Sequence, residues 1–295
     1  MKLKDITKKS YEKQIIQMIE KIEEADAILI GAASGMSAAA GYTHWYEGDK
    51  LFHEAFADFY KKYGFEGSFN GFYYHYRTPE ERWAFIARLV HLLYESPTGE
   101  TYYDLMDIIK NKNYHILTTN QDFQFTGIVP EQKISAIQGD WRYYQCSRRC
   151  HDEIYDNKDM TYKMNESITD TKIPTEMLPM CPKCGQPMEP WVRSFVFLEG
   201  KKFNEEHEKW QQFVLDNQKK KILFIELGVG RMTPMFIQEP FWNLTYNLPN
   251  AYYITINPKD ALLPEELKNK GMAFHEDIAK VLADVKEAMK NKNNI

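Results

Sequence analysis

The spacing of apolar positions changes several times along this chain and divides it into elements. Ile15, Ile16, Met18, Ile19 and Ile22 recur at helical spacing among Lys and Glu, which predicts an amphipathic helix ahead of the first strand. Four short apolar runs follow at wide intervals, over residues 27–30, 115–117, 222–227 and 252–256, each running into Gly, Thr or Asn. Helical patterns lie between them. Buried strands alternating with helices predict a mostly parallel sheet covered on both faces. In such sheets ligands collect beyond the carboxyl ends of the strands. Residues 31–37, 118–122, 228–231 and Asn257 follow those ends and are expected to surround one site.

Two stretches fall outside this rhythm. Residues 43–95 are helical in pattern and rich in rings, among them Phe52, Phe56, Phe59, Tyr63, Phe72, Trp83 and Phe85. They are expected to form the core of a small helical module, with one or two rings lining a ligand cleft. His44, His53 and His75 belong to this module and read as packing or surface histidines, with His44 close enough to Gly41 to be of interest. The second stretch, 141–192, is polar and carries all four cysteines. Cys146-x-x-x-Cys150 and Cys181-Pro-Lys-Cys184-Gly form two chelating pairs 30 residues apart. Zinc favours four tetrahedral thiolates, so Cys146, Cys150, Cys181 and Cys184 are the expected ligands of a structural zinc with no open coordination position. The Lys/Asn-rich tail from Lys290 is expected to fray.

A length of 295 residues suits one large domain with inserted modules, or two domains. The net charge of −5 gives no reason to expect nucleic-acid binding. The N-terminal segment lacks the apolar core of a signal peptide and no 18-residue apolar run exists, so no membrane association and a cytoplasmic location are expected. Four cysteines in such a compartment point to metal rather than disulfides.

The candidate chemistry begins at Ile28-Leu-Ile-Gly31-Ala32-Ala33-Ser34-Gly35-Met36-Ser37. A strand here runs into a loop of small residues and then a helix start, where backbone N–H groups can face a diphosphate. The glycine spacing is not the usual G-x-G-x-x-G fingerprint. Tight packing of a helix on the sheet is the alternative reading. Asn120 and Asp122 stand two residues apart beyond a strand end, which points them to the same side.

Taken in order, these motifs resemble those of the sirtuin family along residues 12–290. Thr118-Thr-Asn-Gln-Asp122 is similar to that family's T-Q-N-I-D segment, Gly228-Val-Gly-Arg-Met-Thr-Pro234 to its G-T-S loop, and Ile256-Asn-Pro258 to its late I-N segment. The resemblance implies a Rossmann-like NAD-binding domain from residues 1–42, 96–140 and 201–295. It implies a smaller domain made of a helical insert (43–95) and a zinc-ribbon-like insert (141–200). It also implies that NAD meets Gly31, Ala32, Ala33, Ser34, Met36, Ser37, Asn120, Asp122, Gln138, Gly228, Val229, Gly230, Arg231 and Asn257.

The departures carry as much information. The family's His-Gly, whose imidazole is the general base, is Gln138-Gly139 here, and a carboxamide does not titrate near neutrality. The G-I-P-D-F-R continuation of the first loop is replaced by Gly41-Tyr-Thr-His-Trp-Tyr46, and the serine of the third loop by Gly230. Trp191-Val-Arg193-Ser-Phe195-Val-Phe197 replaces the peptide-binding strand. These differences resemble the macrodomain-linked bacterial class M sirtuins. That resemblance implies an NAD-dependent protein mono-ADP-ribosyltransferase acting on a lipoylated glycine-cleavage H-like carrier, functionally linked to a macrodomain hydrolase. In this reading Asn120 and Asp122 act at the ribose and carboxamide, Gln138 positions by hydrogen bonding, and Arg193 orients the acceptor. For Arg193, stacking or pairing with a surface carboxylate is the alternative. An NAD-dependent deacylase with an unusual base and an NAD-binding sensor without turnover are the other readings.

Overall fold

A computed structural model describes residues 3–293, and side-chain environments over 9–292. In chain order the elements are α1 (Leu3–Glu24), β1 (Ala27–Ala32), α2 (Ser34–Ala39), α3 (Lys50–Tyr63), α4 (Ser68–Phe72), α5 (Pro79–Glu95), α6 (Glu100–Ile109), β2 (Tyr114–Thr118), β3 (Ile134–Ala136), β4 (Gly139–Cys146), β5 (Tyr155–Asp156), α7 (Lys158–Glu166), β6 (Met188–Val192), α8 (Lys201–Asn217), β7 (Ile222–Leu227), α9 (Gln238–Asn247), β8 (Tyr252–Ile256), β9 (Gly271–Phe274) and α10 (Ile278–Asn293).

Six strands form a parallel sheet in the order β3-β2-β1-β7-β8-β9. Every residue of β1, β2 and β7 is buried, as expected for strands covered on both faces. Alternation along β1 assigns the faces. Ile28 and Ile30 pack with Met18, Ile22, Ile109 and Val281, from α1, α6 and α10. Ala27 and Leu29 pack with Val214, Phe224 and Phe241, toward α8 and α9. The fold is therefore the expected Rossmann-like sheet with helices on both faces. The four apolar runs became its central strands. β3 and β9, which flank them at the edges, are three and four residues long and too short to declare themselves by periodicity.

Strand order reverses at β1, with β2 on one side and β7 on the other. The loops leaving these strands diverge there and open a crevice at their carboxyl ends. Gly31 belongs to packing rather than to this crevice. A Cβ on it would lie 2.3 Å from Ile237 Cγ2 and 2.7 Å from the Phe241 ring, so its bare face admits the start of α9.

The two inserts share one apolar cluster. Phe52, Phe56, Phe59, Trp83 and Phe85 of α3 and α5 pack with Trp141, Tyr144, Cys146, Met164, Cys181 and Met188. Local signals fix the helices: Asp49 caps α3 by accepting from Phe52 N at 2.7 Å, and Gly64 ends it at φ 75°. Thr78 and Pro79 start α5. β4, β5 and β6 form a small antiparallel sheet.

Three expectations need correction. Ile16 is exposed, because the apolar stripe of α1 is narrower than its run of isoleucines. The apolar strand expected through Phe197 ends at Val192, and Phe195 is fully exposed. The tail is helical through Asn293, anchored where Lys292 pairs with Glu23 at 2.6 Å. Asn294 and Ile295, and Met1 and Lys2 at the other end, lie outside the described residues. Among the described residues no helix is long and apolar enough to cross a membrane.

Glu226 in β7 is a buried carboxyl with no cation beside it. Burial pushes it up to about 7, against hydrogen bonds from Tyr253, Gln238 (3.0 Å) and Thr255 (3.2 Å). A raised carboxyl favours the fold while protonated. Its contribution is full below its unfolded value near 4.5 and is lost as pH rises through about 7, an effect of roughly 3 kcal/mol. Glu226→Gln is therefore expected to melt higher than the parent at pH 8 and close to it at pH 5, as thermal unfolding across that range would read. Parallel melting curves would remove Glu226 as the cause.

Candidate active site and metal centre

Hydrogen bonds tie the first loop to the strand ends on either side. Ala33 N donates to Leu227 O (3.0 Å), while Ala32 O accepts from Thr119 N and Thr118 Oγ1, both at 3.1 Å. The third loop closes on the first where Gly35 N donates to Gly228 O at 3.1 Å. At this contact a Cβ on Gly228 would sit 2.4 Å from Gly35 Cα, and one on Gly35 2.6 Å from Gly228 Cα. The anion seat is expected at the start of α2, where Ser34 lines the cavity described below. α2 has only six residues, and the Ala33 and Gly35 amides are already bonded to β7 and the third loop.

A cavity of about 420 Å³ opens beside this junction. Of the residues expected at the site, Ala33, Ser34, Ser37, Asn120, Asp122, Gln138 and Arg193 line it. Ser37 is the hub. Its Oγ donates to Asp122 and accepts from Asn120 Nδ2 at 3.0 Å, with the Tyr102 hydroxyl 3.1 Å away. Asn120 Nδ2 also donates to Ala33 O at 3.0 Å, which fixes the amide orientation. Enclosure by protein raises the Asp122 carboxyl, while the Ser37 hydroxyl and Gln124 N–H hold it down.

Gln138 is placed by the turn that follows it. Gly139 has φ 88°, and a Cβ there would lie 2.0 Å from Trp191 O. The Gln138 carbonyl accepts from Arg193 N and Gln121 Nε2, whereas its carboxamide has no hydrogen bond among the described residues. Arg193 combines the readings open for it. Nη1 pairs with Glu199 at 2.5 Å and the guanidinium lies 4.3 Å from the Phe197 ring centre, yet the residue also faces the cavity. Its Nε is buried without a partner.

The other expected residues stand outside the cavity. Ala32 and Met36 belong to the apolar cluster of one sheet face, Val229 to that of the other. Asn257 is committed to the third loop and its own turn: Nδ2 donates to Val229 O at 2.9 Å, and Oδ1 accepts from Lys259 N and Asp260 N. Gly230 has open space around it, and Arg231 pairs with Asp260 on the surface. The opposite wall is formed by Tyr42, His44, Trp45, Tyr46, Phe69, Phe72, Tyr73 and Trp141 with Met232 and Thr233, more than the one or two rings the sequence led us to expect. The signal available was the run of rings after Gly41.

The four cysteine sulfurs all lie within 4.8 Å of one another, Cys146–Cys184 at 3.6 Å and Cys150–Cys181 at 3.7 Å. A tetrahedron of thiolates around zinc has edges of about 3.8 Å, so this donor set fits the ion. His151 Nδ1 stands 3.0 Å from Cys150 Sγ and its Nε2 2.7 Å from Tyr155 OH, an outer partner the cysteine spacing did not reveal.

No family model matches the chain. It is 36% identical over 280 residues to a protein ADP-ribosyltransferase of Staphylococcus aureus (strain Mu50 / ATCC 700699), covering 93% of this chain and 88% of that one. It is 25% identical over 268 residues to a probable bifunctional ADP-ribose hydrolase/ADP-ribosyltransferase of Fusarium oxysporum f. sp. cubense, covering 86% of this chain and 44% of that longer protein. Among solved structures it resembles Sir2Tm bound to a propionylated peptide, with a TM-score of 0.61 and 16% identity over 94% of this chain and 98% of that one. A Sir2 homologue in complex with NAD gives a TM-score of 0.57 and 14% identity, covering 94% of each chain.

Elemental analysis of the purified protein is expected to find one zinc per chain. Cys181→Ser should lose most of that zinc and melt at a lower temperature, since the cluster is continuous with the apolar core around Cys146 and Cys181. A metal-free parent with unchanged melting would refute a structural zinc.

Proposed function

The chain belongs to the protein ADP-ribosyltransferase family on a sirtuin fold, and from that premise we propose that it moves ADP-ribose from NAD to a protein acceptor and releases nicotinamide. The observation that carries this reading is the Ser37–Asn120–Asp122 cluster on one cavity wall, with the unbonded carboxamide of Gln138 lining the same space.

Transfer breaks the bond between nicotinamide and ribose, leaves positive charge at C1′ and expels a neutral base. Residues must therefore bind hydroxyls and amide, supply negative potential and keep water out. Asn120 is held by Ala33 O and Ser37, so its Oδ1 is oriented for a ribose hydroxyl or an ordered water. Asp122 supplies negative potential and a carboxamide acceptor on the cavity wall. Gln138 can hold a ribose hydroxyl or the acceptor by hydrogen bonding. It cannot take the 2′-hydroxyl proton, a step that carries a deacylase forward. Arg193, with a stacked guanidinium and an unpartnered Nε, would orient a polar acceptor group beside C1′. Gly228, Val229, Gly230, Arg231 and Asn257 would serve the adenosine side, with Asn257 setting the loop's shape.

The fuller assignment is a class M sirtuin whose acceptor is a lipoylated glycine-cleavage H-like carrier, with a macrodomain hydrolase reversing the modification. The longer Fusarium relative, whose name joins hydrolase and transferase, supports that pairing. Isotope-labelled NAD offered with lipoylated and unlipoylated carrier is expected to label the lipoylated protein alone. O-acyl-ADP-ribose formed from an acylated peptide would instead establish a deacylase, and binding with neither product a sensor. Asn120→Ala should reduce transfer by about 100-fold or more, whereas Gln138→His should not create an efficient deacylase. Robust deacylation by Gln138→His would show that the acceptor wall has been misread.

A further inference from the structure

The residue type removed at Gln138 is present elsewhere in the same cavity. His44 lies on the wall facing the strand ends, 3% exposed. Its Nδ1 is fully buried without a partner, and no hydrogen bond to either ring nitrogen occurs among the described residues. The ring is instead held by packing. Tyr42 meets it edge-on at 6.2 Å, and the His44 carbonyl accepts from Ser68 N at 2.8 Å, which pins the segment to α4. Buried imidazoles are ordinarily hydrogen-bonded, because an unpaired buried donor or acceptor costs about 1–3 kcal/mol. Of the two unpartnered nitrogens only Nδ1 is sealed off, so Nε2 is the one that a ligand entering the cavity can meet.

We propose that His44 is a catalytic residue of this cavity, taking the proton from the acceptor nucleophile as that nucleophile bonds to the ribose C1′. The inference rests on reading the cavity as the transfer site. A lone pair of the acceptor forms the bond to C1′, and the electrons of the glycosidic bond leave with neutral nicotinamide. The acceptor's proton passes to an imidazole nitrogen, and the imidazolium returns it to solvent when product departs.

The surroundings favour His44 over its neighbours for this role. Burial holds its imidazole below the usual histidine range, opposed by the charge of Asp49, so the ring is neutral near pH 7 and free to accept a proton. Of the other groups lining the cavity, Asn120 and Gln138 do not titrate near neutrality, and the Arg193 guanidinium pairs with Glu199. Asp122 is engaged by Ser37 and Gln124. Glu47 is exposed, and burial raises Tyr42 and Tyr73. Trp45, Phe69, Phe72 and Trp141 line the same cavity.

The test measures nicotinamide release from NAD by the full-length protein, with the lipoylated carrier as acceptor and separately with water. His44→Asn and His44→Ala are each expected to lower kcat by about 100-fold or more with little change in KM for NAD. Both should lose the acid limb of the pH–rate profile, and added imidazole should restore part of the rate to His44→Ala. A structural role alone would produce neither the altered profile nor the rescue. His44→Gln provides a second non-titrating variant if His44→Asn does not fold. A folded Asn or Gln variant that keeps the parent kcat and acid limb would overturn the proposal. If the carrier stays unlabelled with the parent protein, the acceptor assignment fails instead, while release into water still reports on His44.

Discussion

The site rests on a backbone contact that only glycine permits. Gly35 and Gly228 approach so closely that a side chain on either would strike the other's main chain, and Gly35 N–H bonds across the gap to Gly228 O. That contact brings the loops after β1 and β7 together at the point where strand order reverses. Asn120 and Asp122 arrive from the loop after β2, and Ser37 ties them to the first loop. The small residues of the first loop therefore serve assembly before binding. Their lack of side chains lets strands, loops and the start of α9 meet without strain.

The opposite side of the cavity is built by a different force. The helical and cysteine-bearing inserts bury a common set of rings and aliphatic groups, so each completes a core the other lacks. Cys146 and Cys181 are buried in that cluster while Cys150 and Cys184 are exposed. A metal bound there would fasten polar loops to an apolar core without entering the chemistry. The same packing carries Trp45, Phe72 and Trp141 to the cavity, where Phe69 joins them.

Exchanging an imidazole for a carboxamide at Gln138 changes which steps the cavity can support. A hydrogen-bonding but non-titrating group positions a ribose or an acceptor and leaves the 2′-hydroxyl proton in place. The imidazole of His44 stands on the other wall. The proposal for His44 would move proton transfer from the strand end to the segment after Gly41, where it would serve the incoming acceptor.

Much of the framework was written in the order of residues. Mostly apolar runs gave β7 and β8 with their observed limits, because a strand covered on both faces is built mainly of apolar residues, Glu226 and Thr255 being the hydrogen-bonded exceptions. Cysteine spacing identified four sulfurs that the fold gathers, since a two-residue gap ending in Gly is local geometry. Asn120 and Asp122 could be read as a pair, because alternation along an extended chain is also local. Only the tertiary structure decided the rest. Whether Gly31 met a ligand or a helix depended on where α9 landed, and whether Asn257 faced the cavity or braced a loop depended on β9 and the third loop. That His44 is buried without a ring partner, and which rings of the helical module reach the cavity, arise from segments brought together by packing, which no local pattern encodes.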